Sequence, residues 1–336
     1  MQDETTAMTV TRHRYAPLLA LGLLALASPA AAEGLLSVKS ENDAWVGAGD
    51  GHYTNGAEIS WAFAPDPDHW SRRMTDVIPG WHHDDVDGVT YRVGQRMYTP
   101  DDITIAELQE DDRPYAGVLA TGLSLHGEQR NDGWRETRSL HLDAGMVGPA
   151  SGAGWIQRYF HKNVTGDGAE GWSHQLENEP FLNLGYEHAW SRRASWRSHE
   201  LEYGPSAGLA LGNLHTYASA GLAARYGDGL DRSYGIPSID PAQGERSFFR
   251  PGQGLGWYVF GALEGRYMAH NLLLDGNTWH DSHSVEREPW VGDVQLGFAV
   301  NWDRFQFAYT VVWRTKEFST QNHNDHFGSF TLSMWM

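Results

Sequence analysis

Hydrophobic and polar positions alternate with a period of two over much of the chain. Near the C-terminus, Phe305, Phe307, Tyr309, Val311 and Trp313 hold one parity, while Gln306, Ala308, Thr310, Val312 and Arg314 hold the other. A period of two puts such sets on opposite faces of an extended strand. Just upstream, Val294, Leu296, Phe298, Val300 and Trp302 oppose Asp293, Gln295, Gly297, Ala299 and Asn301, with only the turn at Asp303 between the two segments. The pair predicts a hairpin. The same alternation recurs in Leu140, Leu142, Ala144 and Met146, in Tyr203, Ala207, Leu209 and Leu211, and in Phe330, Leu332, Met334 and Met336.

Strands are predicted near 34–44, 54–64, 88–98, 116–129, 136–147, 180–191, 197–210, 216–226, 257–268, 288–301, 304–316 and 326–336. Small or polar residues on one side and greasy ones on the other suit a wall between lipid and a wetter interior, where an open sheet edge would be too costly. The predicted fold class is all-β, a transmembrane antiparallel β-barrel of about 12 strands, an even number as in bacterial barrels. With both termini periplasmic, the connections near 45–53, 99–115, 148–179, 211–215, 269–287 and 317–325 lie outside the cell, and short turns near 130–135, 192–196 and 303 lie on the periplasmic side. The long connections 65–87 and 227–256 depart from that rule, and imply either small periplasmic helices or a slip in the strand count. Met336 also departs from the terminal aromatic residue that many such barrels carry.

Composition agrees with this pattern. The chain holds 38 Gly, 15 Trp, 14 Tyr and 12 Phe, with a formal net charge of -18 and no cysteine. Tyr and Trp are available for interfacial girdles, and nothing is basic enough to seek nucleic acid. The N-terminus reads as a secretory signal peptide over 1–32: Arg12 and Arg14, an apolar run from Ala16 to Ala27, then Ser28-Pro29-Ala30-Ala31-Ala32 before Glu33. Beyond it no apolar stretch approaches the roughly 20 residues of a membrane helix. The mature barrel is expected over 33–336, in the bacterial outer membrane, as a monomer with an active site on the extracellular side.

Polar clusters gather at that side. Glu41-Asn42-Asp43 closes the first strand, Tyr53-Thr54-Asn55-Gly56 opens the second, and Asp112-Arg113-Pro114-Tyr115-Ala116-Gly117 enters the fourth. The longest outer loop carries His161, Asp167, Glu170, Gly171-Trp172, Gln175 and Asn178-Glu179. Together they supply a general base, hard oxygen ligands and polar donors, the parts needed for metal-assisted ester hydrolysis. Each also has a plainer reading: Asn-Asp as a turn former, Tyr-Thr-Asn-Gly as an ordinary strand start, Asp112-Arg113 as a structural ion pair. His82-His83-Asp84-Asp85 reads as a solvated acidic loop, and Asn322, His323, Asn324, Asp325 and His326 form an outer-loop group suited to a sugar or a cation. No Gly-x-Ser-x-Gly elbow is present, so no ordinary serine nucleophile is visible.

Those first three blocks, followed by Val147-Gly148-Pro149, Gln157, His161, Gly171-Trp172, Gln175 and Asn178-Glu179, resemble the ordered signatures of the LpxR-type lipid A deacylases. The resemblance implies a 12-stranded outer-membrane barrel that removes the 3-linked acyloxyacyl chain from lipid A of lipopolysaccharide with the aid of Ca2+. It implies that His161 activates water, that Asn42 and Asp43 form the calcium site and oxyanion environment, and that Thr54 matches the family's hydroxyl residue. Ungapped spacing sets Asp167 at the family's acidic position, one methylene shorter than Glu, with Glu170 the substitute if the loop is displaced. Arg113, Tyr115, Arg158, Lys162 and Glu170 are candidate substrate contacts, the cations against phosphorylated, lipid-embedded substrate. Competing readings are a related phospholipid hydrolase or inactive homologue, a porin-like channel, and a soluble glycan-binding sandwich.

Overall fold

The computed structural model describes residues 33–46, 51–75, 81, 85–160, 162–163, 168–236 and 248–336. The expected signal peptide, 1–32, lies outside them. Among the described residues, twelve antiparallel strands close into a barrel in which each strand pairs with its sequence neighbours and β1 meets β12. They are β1 (Gly34–Asn42), β2 (His52–Phe63), β3 (Gly88–Thr99), β4 (Ala116–Asn131), β5 (Trp134–Val147), β6 (Glu179–Trp196), β7 (His199–Gly212), β8 (His215–Asp228), β9 (Gly252–Asn271), β10 (Trp290–Asp303), β11 (Phe305–Arg314) and β12 (Asp325–Trp335). Among the described residues, three short α-helices interrupt the connections: α1 (Trp70–Thr75), α2 (Ala153–Phe160) and α3 (Leu272–Asp275).

The sequence alternation becomes the two faces of the wall. Val38, Ile59, Val93, Leu119, Leu142, Leu182, Leu209, Leu263, Leu296 and Leu332 are exposed on the outside. Aromatic residues flank this band: Trp134, Trp196 and Trp302 at the end carrying the termini, and Trp45, Trp155, Trp290 and Trp313 at the opposite, loop end. The inward parity is polar and buried. Glu202 accepts from Arg135 at 3.3 Å and Arg225 at 2.9 Å. Asp293 takes both Arg314 (2.9 Å) and Arg266, and Lys39 lies 3.4 Å from Glu41 and 3.9 Å from Glu58. Charges buried in this way are tolerated because each faces an opposite charge.

Turn chemistry fixes the narrow end. Asp132 and Gly133 both have positive φ (49° and 79°), joining β4 to β5 with the two-residue geometry that matches strand twist.

The strand count does not slip at the two long connections. After β8, Ser233 bridges to Phe249, and Tyr234, Phe248 and Phe249 pack against the inward-facing Leu35 and Ala62. Arg225 donates to Leu230 O at 2.8 Å and Arg135 to Ser233 O at 2.8 Å. This connection therefore folds back into the lumen and fills its terminal end. The connection after β2 carries α1, and its Trp81 and Val86 cover Val89 and Leu125 on the outer face of the wall.

Candidate functional site

Asn42 ends β1 and caps the 3-10 turn Asp43–Trp45, its side chain accepting from Ala44 N–H at 2.7 Å. Its amide donates to Thr54 O, also at 2.7 Å. Asp43 is buried, with one carboxylate oxygen accepting from Ala44 N–H (2.8 Å) and the other from Gly51 N–H (2.7 Å). Thr54 sits where the register of β2 against β3 shifts, so it is the extra residue of a bulge. Its hydroxyl lies 2.7 Å from that of Thr99. The hairpin thus unites Asn42, Asp43 and Thr54, as expected from sequence.

The longest loop provides a cover that sequence reasoning did not foresee. Gly148 and Gly152 adopt positive φ around the 3-10 turn Pro149–Ser151, and α2 follows. Gln95, on the outer face of β3, donates to Ser151 O at 2.6 Å. A Cβ at Gly117 would come within 2.1 Å of Ser151 Oγ and 2.4 Å of the Ala153 Cβ, so the helix start rests directly on β4. Met97 holds the outward parity of β3 but is only 4% exposed, because Tyr115, Ala153 and Trp172 cover it. Trp172 donates to Gln157 Oε1 at 2.5 Å and packs on Tyr115 with 5.2 Å between rings. The helix buries Ala153, Gly154 and Gln157 against this layer and exposes Trp155, Ile156, Tyr159 and Phe160. The site is therefore a face of the outer wall beside a covering helix.

His161 and Asp167 lie outside the described residues; α2 ends at Phe160, one residue before His161. Arg158, Lys162 and Glu170 are exposed on this cover. Two other expected substrate contacts are placed differently. Arg113 is buried in the barrel mouth, 3.4 Å from Glu317 and 4.7 Å above the Tyr98 ring. Tyr115 is buried beneath Trp172, and burial pushes its hydroxyl pKa up to about 12. Both side chains are buried among protein groups, Tyr115 under the covering loop and Arg113 beside Glu317 and Tyr98.

A second polar group occupies the mouth itself. His52, His323 and Asp325 each offer one ligand atom within 4.8 Å of the others, an arrangement able to coordinate a metal ion. Asp112 stands beside it, 3.5 Å from His52 Nε2. Burial alone would raise the Asp112 carboxyl, but the contact with His52 and the Asp101 N–H hold it below the usual range. The outer-loop group was legible through His323 and Asp325. His52 was not, since only barrel closure brings the start of β2 to β12. The acidic patch at His82-His83-Asp84 lies outside the described residues.

Comparison with known proteins agrees with this geometry. The solved structure of LpxR from Salmonella typhimurium superposes with a TM-score of 0.75 at 17% identity, covering 90% of this chain and 100% of that one. The β domain of the Bordetella autotransporter BrkA covers 90% of this chain and 98% of its own at 10% identity, but its TM-score of 0.46 is too low to bear on function. No curated protein matches by sequence. A family profile, described as outer membrane protein LpxR, matches residues 17–336. With closed barrel and profile in agreement over nearly the whole chain, this outer-membrane protein belongs to the LpxR family.

Proposed function

We propose that the protein is a lipid A 3-O-deacylase, hydrolysing the 3-linked acyloxyacyl ester at the extracellular face of the outer membrane. The observation that carries this reading is the joining of Asn42, Asp43 and Thr54 at the loop end of the wall, beside a helix that leads into His161. Orientation follows from loop lengths, since barrels of this class keep short turns in the periplasm and longer loops outside.

The donor set fits Ca2+. Asn42 Oδ1 and the Asp43 carboxylate are hard oxygens held in place by backbone hydrogen bonds, and Ca2+ takes six to eight such ligands, water and carbonyls included. Bound there, Ca2+ would supply Lewis-acid polarisation of an ester carbonyl. His161 takes the proton from the attacking water, with Asp167 or Glu170 orienting the imidazole. The Thr54 hydroxyl is held by Thr99 Oγ1, whose own proton goes to Pro100 O at 3.0 Å, so Thr54 donates to Thr99 and turns lone pairs toward the site.

A lipid substrate suits the surroundings. Trp155 and Tyr159 stack at 5.7 Å on the exposed face of α2, an apolar surface at the level where acyl chains meet headgroups. Arg158 and Lys162 carry positive charge on the same cover of an acidic protein, where a phosphorylated headgroup needs it. A porin-like role is disfavoured by the lumen: between Tyr98, Arg113, Arg266, Arg314 and Glu317 only a cavity of about 20 Å³ remains. The protein acts as a monomer in this reading.

The test is mass spectrometry of lipid A from cells expressing wild type or His161→Ala, with calcium supplied and then chelated. Loss of the 3-linked acyloxyacyl group only in wild type with calcium supports the assignment. Unchanged lipid A in every sample, with folded protein in the outer membrane, would sink it and favour another lipid ester.

A further inference from the structure

We propose that the barrel mouth holds a second, separate metal site, built by His52, His323 and Asp325 and selective for a borderline divalent ion of the Zn2+ type over Ca2+. The site rests on the geometry of these side chains and is independent of the deacylase reading.

The hydrogen bonds around His52 leave a buried carboxylate oxygen beside it without a partner. Gln321 Oε1 accepts from Glu317 N–H at 2.6 Å, which fixes the amide so that Nε2 is the donor. That Nε2 donates to His323 O at 2.9 Å and faces His52 Nδ1 at 3.2 Å. A donor there requires a lone pair on Nδ1, with the ring proton on Nε2 toward Asp112 Oδ1, 3.5 Å away. Yet Asp325 Oδ1, an acceptor, lies 2.5 Å from the same Nδ1. Nδ1 can answer only one of the two, as a lone pair for Gln321 or as an N–H for Asp325. The other oxygen, Asp325 Oδ2, is buried and has no hydrogen-bond partner among the described residues, in a side chain only 7% exposed. Buried polar atoms are rarely left so.

A proton between Nδ1 and Oδ1 would satisfy one contact but leave Oδ2 orphaned. A metal ion uses all three residues. Both imidazoles carry the support that metal-bound histidines normally have, a carboxylate beside the second ring nitrogen: Asp112 beside His52 Nε2, and Asp101 at 3.3 Å from His323 Nε2. Asp101 N–H in turn donates to Asp112 Oδ2 at 2.9 Å, tying the two supports together. Two imidazoles and one carboxylate match Zn2+ and its neighbours, whereas Ca2+ seeks a shell of oxygens. Entry is open, since the His323 side chain is 53% exposed. His52 belongs to β2 and Asp325 to β12, the two strands that flank β1 at the closing seam, and His323 to the β11–β12 loop. A bound ion would therefore clamp the seam at its outer end.

The experiment uses the whole protein in detergent, stripped with chelator, dialysed, and titrated with Zn2+ by calorimetry in 5 mM Ca2+ (a concentration of about this order saturates an extracellular Ca2+ module). Co2+ replaces Zn2+ in a parallel run read by visible absorption. One equivalent of Zn2+ bound per chain, with the intense bands of a low-coordinate Co2+ site, is expected. His323→Ala, at an exposed position, and Asp325→Asn should lose binding at the same concentrations. Asp101→Asn should weaken it by about 10–100-fold, and His161→Ala should leave it intact. Heat-modifiable gel migration establishes that each variant is a closed barrel. Absence of Zn2+ binding, or binding by folded His323→Ala equal to wild type, or displacement by Ca2+, would overturn the proposal.

Discussion

Glu317 shows how a single carboxylate is held in the mouth. It lies 3.4 Å from Arg113 and 3.6 Å from Arg314, just beyond the end of β11. Burial alone would raise its carboxyl, but the Arg314 and Arg113 guanidiniums hold it below its ordinary value near 4.5. A carboxyl depressed on folding contributes stability that is complete above its unfolded value and is lost as the pH falls through the folded one. Glu317→Gln should therefore cost about 1.5–3 kcal/mol at neutral pH, the range for a hydrogen bond to a charged group. The gap should narrow as the pH drops below that value. Thermal unfolding followed by heat-modifiable migration, run from neutral to acid pH, gives the comparison. A gap that stays constant with pH would mean Glu317 acts through its shape, not its charge. Residues of this kind are only half legible in sequence: Asp112-Arg113 suggested an ion pair, but the pair that forms is Arg113 with Glu317, some two hundred positions away.

At the scale of elements, the strands were readable because a wall with lipid on one side imposes a strict period of two. The cover over the outer wall was not. α2 is a two-turn helix inside a long loop, and its contact depends on small residues whose importance shows only when two backbones meet. Gly117 is the clearest case, since any Cβ would strike Ser151 and Ala153. Its place in β4 is otherwise that of an ordinary outward strand residue. Gly117→Val should lift the helix start from the wall while the β3–β4 and β4–β5 ladders remain. Overpacking of this kind costs about 1–3 kcal/mol. The barrel should stay heat-modifiable while lipid A deacylation, followed by mass spectrometry, falls by about tenfold or more, because misplacing a catalytic group by about an ångström already costs that much. Full activity in the folded variant would show that α2 need not touch the wall. The same logic explains why the meeting of Asn42, Asp43 and Thr54 is readable from sequence, whatever their role. They sit on one hairpin, and a hairpin's partners can be counted.

At the scale of the whole molecule, inward charges pair into a network that lines the lumen. Alternation with small inward residues predicts a narrow, filled interior but not what fills it, because the filling comes partly from the connection after β8, which the sequence pattern leaves open as a slip in the strand count. Arg225 is the hinge of that arrangement: it pairs with Glu202, its register partner on the neighbouring strand β7, and holds Leu230 O and Ser233 Oγ of the returning connection. Replacing it leaves a buried carboxylate short of one partner and the connection without its anchor. Arg225→Ala should lose about 3 kcal/mol or more in thermal stability, the scale for breaking a buried pair. Wild-type protein in planar bilayers should be silent, since Arg, Glu and Tyr side chains occupy the path an ion would take. The variant, if the connection swings free, should show intermittent openings. Steady conductance from wild type would contradict a filled lumen and revive the channel reading. Silence in both would mean that Arg135, through Glu202 at 3.3 Å and Ser233 O at 2.8 Å, suffices to keep the lumen closed. In that event the double variant Arg135→Ala/Arg225→Ala becomes the decisive one, because no other described cation bonds both Glu202 and Ser233.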